Sequence, residues 1–198
     1  MAKFIIRKAE KINPIKEVFS IKEEEVLFNT LFVEKKEPFT CLAFLPKQFE
    51  NLFSHIGWGK ETIGNQAEQG GLLAGHIYYV KHEQATYGLV KQIIPAYSAD
   101  SSMKHLHFSH QTWLEMMQKL EEDGYTLIGW YHTHPKHLRV YMSETDMQTQ
   151  STLFYEDWHF SVILNPQQKI WRVFHGKKAT ECLGIVTTLT IQENEKII

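Results

Sequence analysis

Two histidines one residue apart, His132 and His134, stand in the run Gly129-Trp130-Tyr131-His132-Thr133-His134-Pro135, and Ser143-Glu144-Thr145-Asp146 follows further along. A strand turns residues i and i+2 to one face, so two imidazoles at a strand end can aim at a single point. Pro135 ends that strand, because it has no N–H to give to a ladder. Asp146 falls in the first turn of the next helix, from which a carboxylate oxygen can return to the same point. Two imidazoles and a carboxylate make a three-ligand set, which on zinc leaves one position for water, as in catalytic sites. Zinc would lower the pKa of that water towards ~7. A group that is not a ligand must still take the proton and deliver it to a leaving amine. Ser143, three residues before Asp146, can direct its hydroxyl at an oxygen that gains charge during attack on a carbonyl. Taken alone, Ser-x-x-Asp is also an ordinary helix start, with serine as cap and the acid favoured by the helix dipole.

His-x-His-Pro followed by Ser-x-x-Asp resembles the motif of the JAMM (MPN+, JAB) metalloprotease family. In that family the general base is a glutamate at the start of an earlier strand, followed by glycine and a short apolar run. Glu68-Gln69-Gly70-Gly71-Leu72-Leu73-Ala74-Gly75 matches that element. The resemblance spans about Phe39 to Thr180. It implies His132, His134 and Asp146 as zinc ligands, Glu68 as general acid/base and Ser143 as stabiliser of the tetrahedral oxyanion. One departure stands out: eight residues separate His134 from Ser143, where the family pattern has seven. The extra residue falls in the loop Lys136–Met142 and leaves His137 and Glu144 as substitute ligands.

The resemblance implies a zinc-dependent isopeptidase or peptidase that cuts after the C-terminal glycine of a ubiquitin-like protein. The stretch Ile128–Gln150 is similar to the deubiquitinating members. The substrate's extended tail would lie in a groove and pair with a sheet edge near Ala96–Met103. A compact chain of this kind resembles prokaryotic members, which accompany E1- and E2-like proteins, in some cases in antiphage defence. Two other readings stay open: a non-catalytic MPN-type scaffold, and a processing peptidase for a sulfur-carrier protein.

The elements that must position these residues are legible as a pattern. Phe39–Leu45 reads as a strand, and Pro46 opens a helix at a position where its missing N–H costs nothing. Phe49, Leu52, Phe53 and Ile56 then make one apolar stripe. Gly71–Val80 and Thr86–Pro95 read as a hairpin, and Ala96–Lys104 as a polar loop. Ser109 caps a helix to about Asp123, stopped by Gly124. Tyr125–Tyr131 is apolar nearly throughout, as in a doubly covered strand. Ser143 caps a helix to about Phe154; His159–Leu164 and Ile170–His175 are strands. The mixture predicts an α/β (α+β) fold. The resemblance refines this to an MPN/JAB-type, cytidine-deaminase-like mixed central sheet flanked by helices.

Residues 1–38 differ in texture. Lys, Glu and Ile recur, with β-like pieces at Phe4–Arg7 and Val26–Val33, and they read as an N-terminal extension. The division expected is 1–38, a domain over 39–187, and a peripheral tail over 188–198. The chain has 198 residues and a formal charge of −2, which offers no basic footprint for nucleic acid. No run approaches the roughly 20 apolar residues of a membrane helix. Cys41 and Cys182 are too few for a disulfide framework, so the expected setting is cytoplasmic. A second histidine group, His105, His107 and His110, has no carboxylate spaced to join it and is read as structural.

Overall fold

The structure is a computed structural model that describes residues 13–18, 20–28, 38–60, 67–97, 100–102, 105–107 and 109–192; for 24–28, 100–102 and 105–107 it describes the backbone. In chain order the elements are β1 (Ile15–Val18), β2 (Ser20–Phe28), β3 (Phe39–Phe44), α1 (Pro46–Ile56), β4 (Gly70–Val80), β5 (Ala85–Pro95), β6 (Asp100–Ser102), β7 (His105–His107), α2 (His110–Asp123), β8 (Thr126–Thr133), α3 (Glu144–Leu153), β9 (Phe160–Asn165), β10 (Ile170–His175) and β11 (Thr180–Gln192). It is a mixed α/β fold. The three helices fall where their caps predict. Pro46 is the first residue of α1 and Gly57 ends it in the left-handed conformation. Ser109 accepts from the Thr112 N–H at 3.1 Å to open α2, and Gly124 closes it.

The expected hairpin is present as β4 and β5, antiparallel with Ile77 opposite Gly88. The expected mixed sheet with helices packed on it is present, but it is closed into a ring rather than a simple central layer. Its path runs β4-β5-β3-β11-β10-β9-β8, and β8 then pairs with β4, so the sheet closes on itself. The bending that closure needs sits in β4. Its register shifts between Leu73 and Ala74 against β8, and between Ala74 and Gly75 against β5. Such irregularities bend a strand and increase its twist. Gly75 belongs there because a Cβ would stand 1.9 Å from the Leu89 carbonyl oxygen.

Closure gives the fold an inside and an outside. Inside, Leu42, Phe44, Leu73, Ile77, Ile128, Tyr131, Val162 and Val173 meet Leu52 and Ile56 of α1. Outside, Leu72, Ala74, Ile94 and Trp130 pack under Met116 and Leu120 of α2 and Phe154 at the end of α3. Burial of a large apolar side chain stabilises by ~1.5–3 kcal/mol, so α1 and α2 are held mainly by these stripes.

The described part of residues 1–38 joins the same sheet. β1 runs parallel to the second half of β4, and β2 antiparallel to β11. Val18 and Ile21 bury against Tyr78 and Tyr87, and the Tyr87 hydroxyl donates to Glu23 Oε1 at 2.9 Å. The strand expected over Val26–Val33 is described only to Phe28; Phe4–Arg7 and 29–33 lie outside the described residues. Residues 188–192, expected as tail, extend β11 and pair with β2, while 193–198 lie outside. The expected polar loop at Ala96–Lys104 instead carries β6, which pairs with β7 in a separate two-stranded sheet. Among the described residues no helix is long and apolar enough to cross a membrane.

Candidate metal centre

The strand pairing that begins β4 and ends β8 builds the site. Gly70 lies opposite His132. One step further, the Thr133 N–H donates to the Gln69 carbonyl and the Gln69 N–H to Thr133 Oγ1, both at 2.8 Å. Carried on by one residue, this antiparallel register sets Glu68 across from His134. Alternation turns His132 and His134 to the face that carries Trp130. The Trp130 ring stacks on His132 at 4.7 Å between centroids and 5° between planes. Trp130 Nε1 donates at 2.8 Å to Gln150 Oε1, one turn beyond Asp146 on α3. Gln150 is fully buried, and its Nε2 donates to the Phe154 and Gly176 carbonyls. This amide seats α3 on β8 and brings Asp146 over the imidazoles.

Three donor atoms converge. His132 Nε2 and His134 Nε2 are 3.0 Å apart. His132 Nε2 lies 3.1 Å from Asp146 Oδ1, and His134 Nε2 3.5 Å from Asp146 Oδ2. Donors sharing a tetrahedral ion at bond lengths of ~2.0–2.1 Å stand about 3.3–3.4 Å apart, a value these separations bracket. The tautomer fits as well. His134 Nδ1 is 2.6 Å from the Arg139 carbonyl oxygen, which can only accept, so the proton sits on Nδ1 and the Nε2 lone pair faces inward. His132 Nδ1 is buried, and among the described residues it has no hydrogen-bond partner. Among the described residues His132, His134 and Asp146 form the one such group able to hold a metal ion. The donor set therefore fits a small divalent cation.

Electrostatics follow from the packing. Burial pushes the Asp146 carboxyl up, but hydrogen bonds with His132, His134 and Ser143 outweigh it and hold the group well below the usual carboxylate range. Burial lowers His132; at His134 burial also acts downward, but the bonds to Asp146 and the Arg139 carbonyl raise it overall. Glu68 is pushed up to about 7, chiefly by burial; the His134 charge opposes this and Asp146 adds to it. It is 7% exposed and lines an open pocket of about 270 Å³ with His134, Leu138, Arg139, Tyr141 and Ser143.

The structure brings together all five residues singled out in the sequence. Ser143 and Asp146 also form the reciprocal cap that the plain reading of Ser-x-x-Asp predicts. Ser143 Oγ accepts from the Asp146 N–H at 3.2 Å, and Asp146 Oδ2 accepts from the Ser143 N–H at 2.8 Å. Capping uses the serine only as an acceptor, so its hydroxyl proton stays available to the pocket. His137 and Glu144, the substitute ligands, are exposed and stand outside the donor group. His110 is exposed at the start of α2, and the side chains of His105 and His107 lie outside the described residues. Sequence reasoning passed over Gln150, Trp130 and the Arg139 carbonyl. The i, i+4 relation of Asp146 and Gln150 on one helix face was the signal for the first.

Fold and donor set together define a mixed α/β domain with a three-residue group that could hold a metal ion. Residues 59–175 match the family model of prokaryotic homologs of the JAB domain, and since the match spans more than half of the chain, the protein belongs to that family. The match runs from before β4 to the end of β10, narrower than the Phe39 to Thr180 expected. The solution structure of protein DSY2949 from Desulfitobacterium hafniense is similar, with a TM-score of 0.51 and 19% identity over 79% of this chain and 97% of that one; at that identity the likeness concerns the fold. No curated protein matches the chain.

Proposed function

We propose that this protein is a zinc-dependent peptidase that cuts after the C-terminal glycine of a ubiquitin-like protein, from a lysine or from a short peptide extension. The observation that carries the reading is the meeting of the His132–His134–Asp146 donor set with a buried carboxyl, Glu68, on one pocket. When bound, the ion supplies a lowered pKa to water and a positive charge that polarises the scissile carbonyl. Glu68 takes the proton of the attacking water and passes it to the departing amine, a task suited to a carboxyl that titrates near neutrality. Ser143 Oγ, anchored at the start of α3, donates its hydroxyl proton to the carbonyl oxygen as that atom gains charge. Tyr141 and Leu138 give the pocket wall apolar area for the chain on either side of the bond.

The extended tail of such a substrate would add to the β6–β7 sheet, whose strands each keep an edge unpaired among the described residues. The partners in this reading are a ubiquitin-like protein or its conjugates, with E1- and E2-like proteins acting upstream. The cytoplasm suits the two buried free thiols, Cys41 and Cys182. Elemental analysis of the purified protein, followed by a panel of ubiquitin-like substrates in peptide and lysine linkage, tests the reading. About one zinc per chain and release of the mature glycine terminus are expected. Absence of metal after zinc is offered would overturn it, and metal without cleavage of any panel member would remove the substrate.

A further inference from the structure

The loop between Pro135 and Ser143 is one residue longer than the common family spacing, and yet it delivers the carbonyl that orients His134. What holds it lies across the fold, at the end of β9. Asn165 is fully buried, and its Nδ2 donates to two loop carbonyls, Lys136 at 2.9 Å and Leu138 at 3.0 Å. Its Oδ1 accepts from the Gln168 N–H at 2.9 Å, so the amide orientation is fixed from both ends. Gln167 and Gln168, in the turn after β9, bond the Lys136 N–H and carbonyl at 3.0 and 2.8 Å. On the far side, Arg172 Nη1 donates to the Val140 carbonyl at 3.0 Å, while the same guanidinium pairs with Glu181 through Nε at 2.7 Å. Lys136 takes a positive φ of 58°, a backbone shape that a non-glycine residue keeps only when its surroundings impose it. The segment so clamped carries the Arg139 carbonyl that receives His134 Nδ1.

We infer that Asn165, with Arg172 as its counterpart, is a positioning residue for the metal centre: it fixes the loop whose Arg139 carbonyl selects the His134 tautomer. The inference rests on the metal reading given above. The clamp acts on main-chain atoms, so the side chain of Arg139 is dispensable to it. Outer partners of a ligating histidine typically change metal affinity ~10–100-fold, and Asn165 stands one link further out, so about tenfold is expected. Asn165→Asp removes both donations and keeps the acceptor for Gln168. Arg172→Met keeps the aliphatic stem and removes the bond to Val140.

The experiment is a zinc titration of the full chain against a chromophoric chelator, with thermal unfolding of each metal-free variant alongside. Asn165→Asp and Arg172→Met are each expected to weaken zinc about tenfold, Arg139→Ala to leave it within twofold. In a His134→Ala background, Asn165→Asp is expected to change the residual affinity by less than twofold, because the route through His134 is already cut. If Asn165→Asp fails to fold, Arg172→Met and its own His134→Ala double variant decide. Zinc affinity unchanged in the single variants, or lost equally in both backgrounds, overturns the inference. A wild-type chain that binds no zinc overturns the metal reading first, and this inference with it.

Discussion

Two kinds of histidine withdrawn from solvent, wholly or in part, coexist in this molecule. His55, in the last turn of α1, sets Nδ1 at 3.0 Å from the Tyr131 hydroxyl, with the rings of Tyr97 and Tyr131 edge-on around it. At His159, Nδ1 accepts from the Glu156 N–H at 3.3 Å, and Trp158 and Phe154 surround the ring. Burial holds both near 4, so both are neutral at physiological pH. Neither forms an ion pair among the described residues. His132 and His134 are buried too, but their Nε2 atoms face each other and a carboxylate, with no protein donor between them. Burial lowers all four imidazoles, but at His134 the bonds to Asp146 and the Arg139 carbonyl outweigh it, so convergence on a carboxylate, not burial, sets the candidate ligand pair apart.

The sharpest way to break the contrast is His132→Ala beside His55→Gln. The first is expected to abolish metal content and turnover, the second to leave both unchanged, by elemental analysis and cleavage assay. Equal losses in the two would erase the distinction. Glu68→Gln is expected to lower turnover by ~10²–10⁴-fold, the range of general acid–base groups, while zinc stays bound. It should also stabilise the metal-free protein in alkali. A carboxyl at about 7 in the folded chain, against 4.5 when free, costs stability progressively as pH rises from 4.5 to 7, and fully above that. Removing the cost should add ~1–2 kcal/mol at pH 8 and nothing at pH 4, less than the whole shift implies because the side chain faces an open pocket. Thermal denaturation at the two pH values checks the sign.

Ser143→Ala is expected to reduce kcat by ~10²–10³-fold, as for loss of an oxyanion donor. It should also cost ~1 kcal/mol as a lost helix cap. Ser143→Thr should restore both, and a variant that loses only stability would reduce the serine to its cap. The smallest effect belongs to His55→Gln, seen only in acid. The unfolded chain takes up the His55 proton near 6.5 and the folded chain near 4, so wild-type stability falls as pH drops through that window. The variant should show a shallower acid limb, with His159 supplying the remainder.

Local rules carried the reading wherever neighbours in sequence decide the outcome. Ser109 with Gly124 bounded α2, Pro46 opened α1, and two neighbouring apolar runs read as the hairpin of β4 and β5. The five site residues were legible because each sits at an element terminus where spacing is rigid. What escaped depends on distant partners. β1 is four residues with two charges, Ile-Lys-Glu-Val, and it is a strand only because β4 offers an edge. β11 continues through Thr187–Gln192 because β2 lies beside it. Gly184 interrupts its apolar pattern for a reason invisible in one dimension: a Cβ there would reach Trp171 and Val173 on β10. Closure of the sheet likewise follows from pairing between β4 and β8, whose central residues are about sixty apart in the chain.

That closure has a thermodynamic corollary. Strands β4 and β8, which carry Glu68 and the two imidazoles at their ends, are each hydrogen-bonded on both sides over the stretch beside the site. Their amides can exchange with solvent only by opening several ladders at once, which places them at the slow, globally limited end of hydrogen exchange. Capture of an ion there would order little additional backbone, so its heat-capacity change should be small. The conformational entropy of assembling the centre is met when the chain folds and the ring is completed.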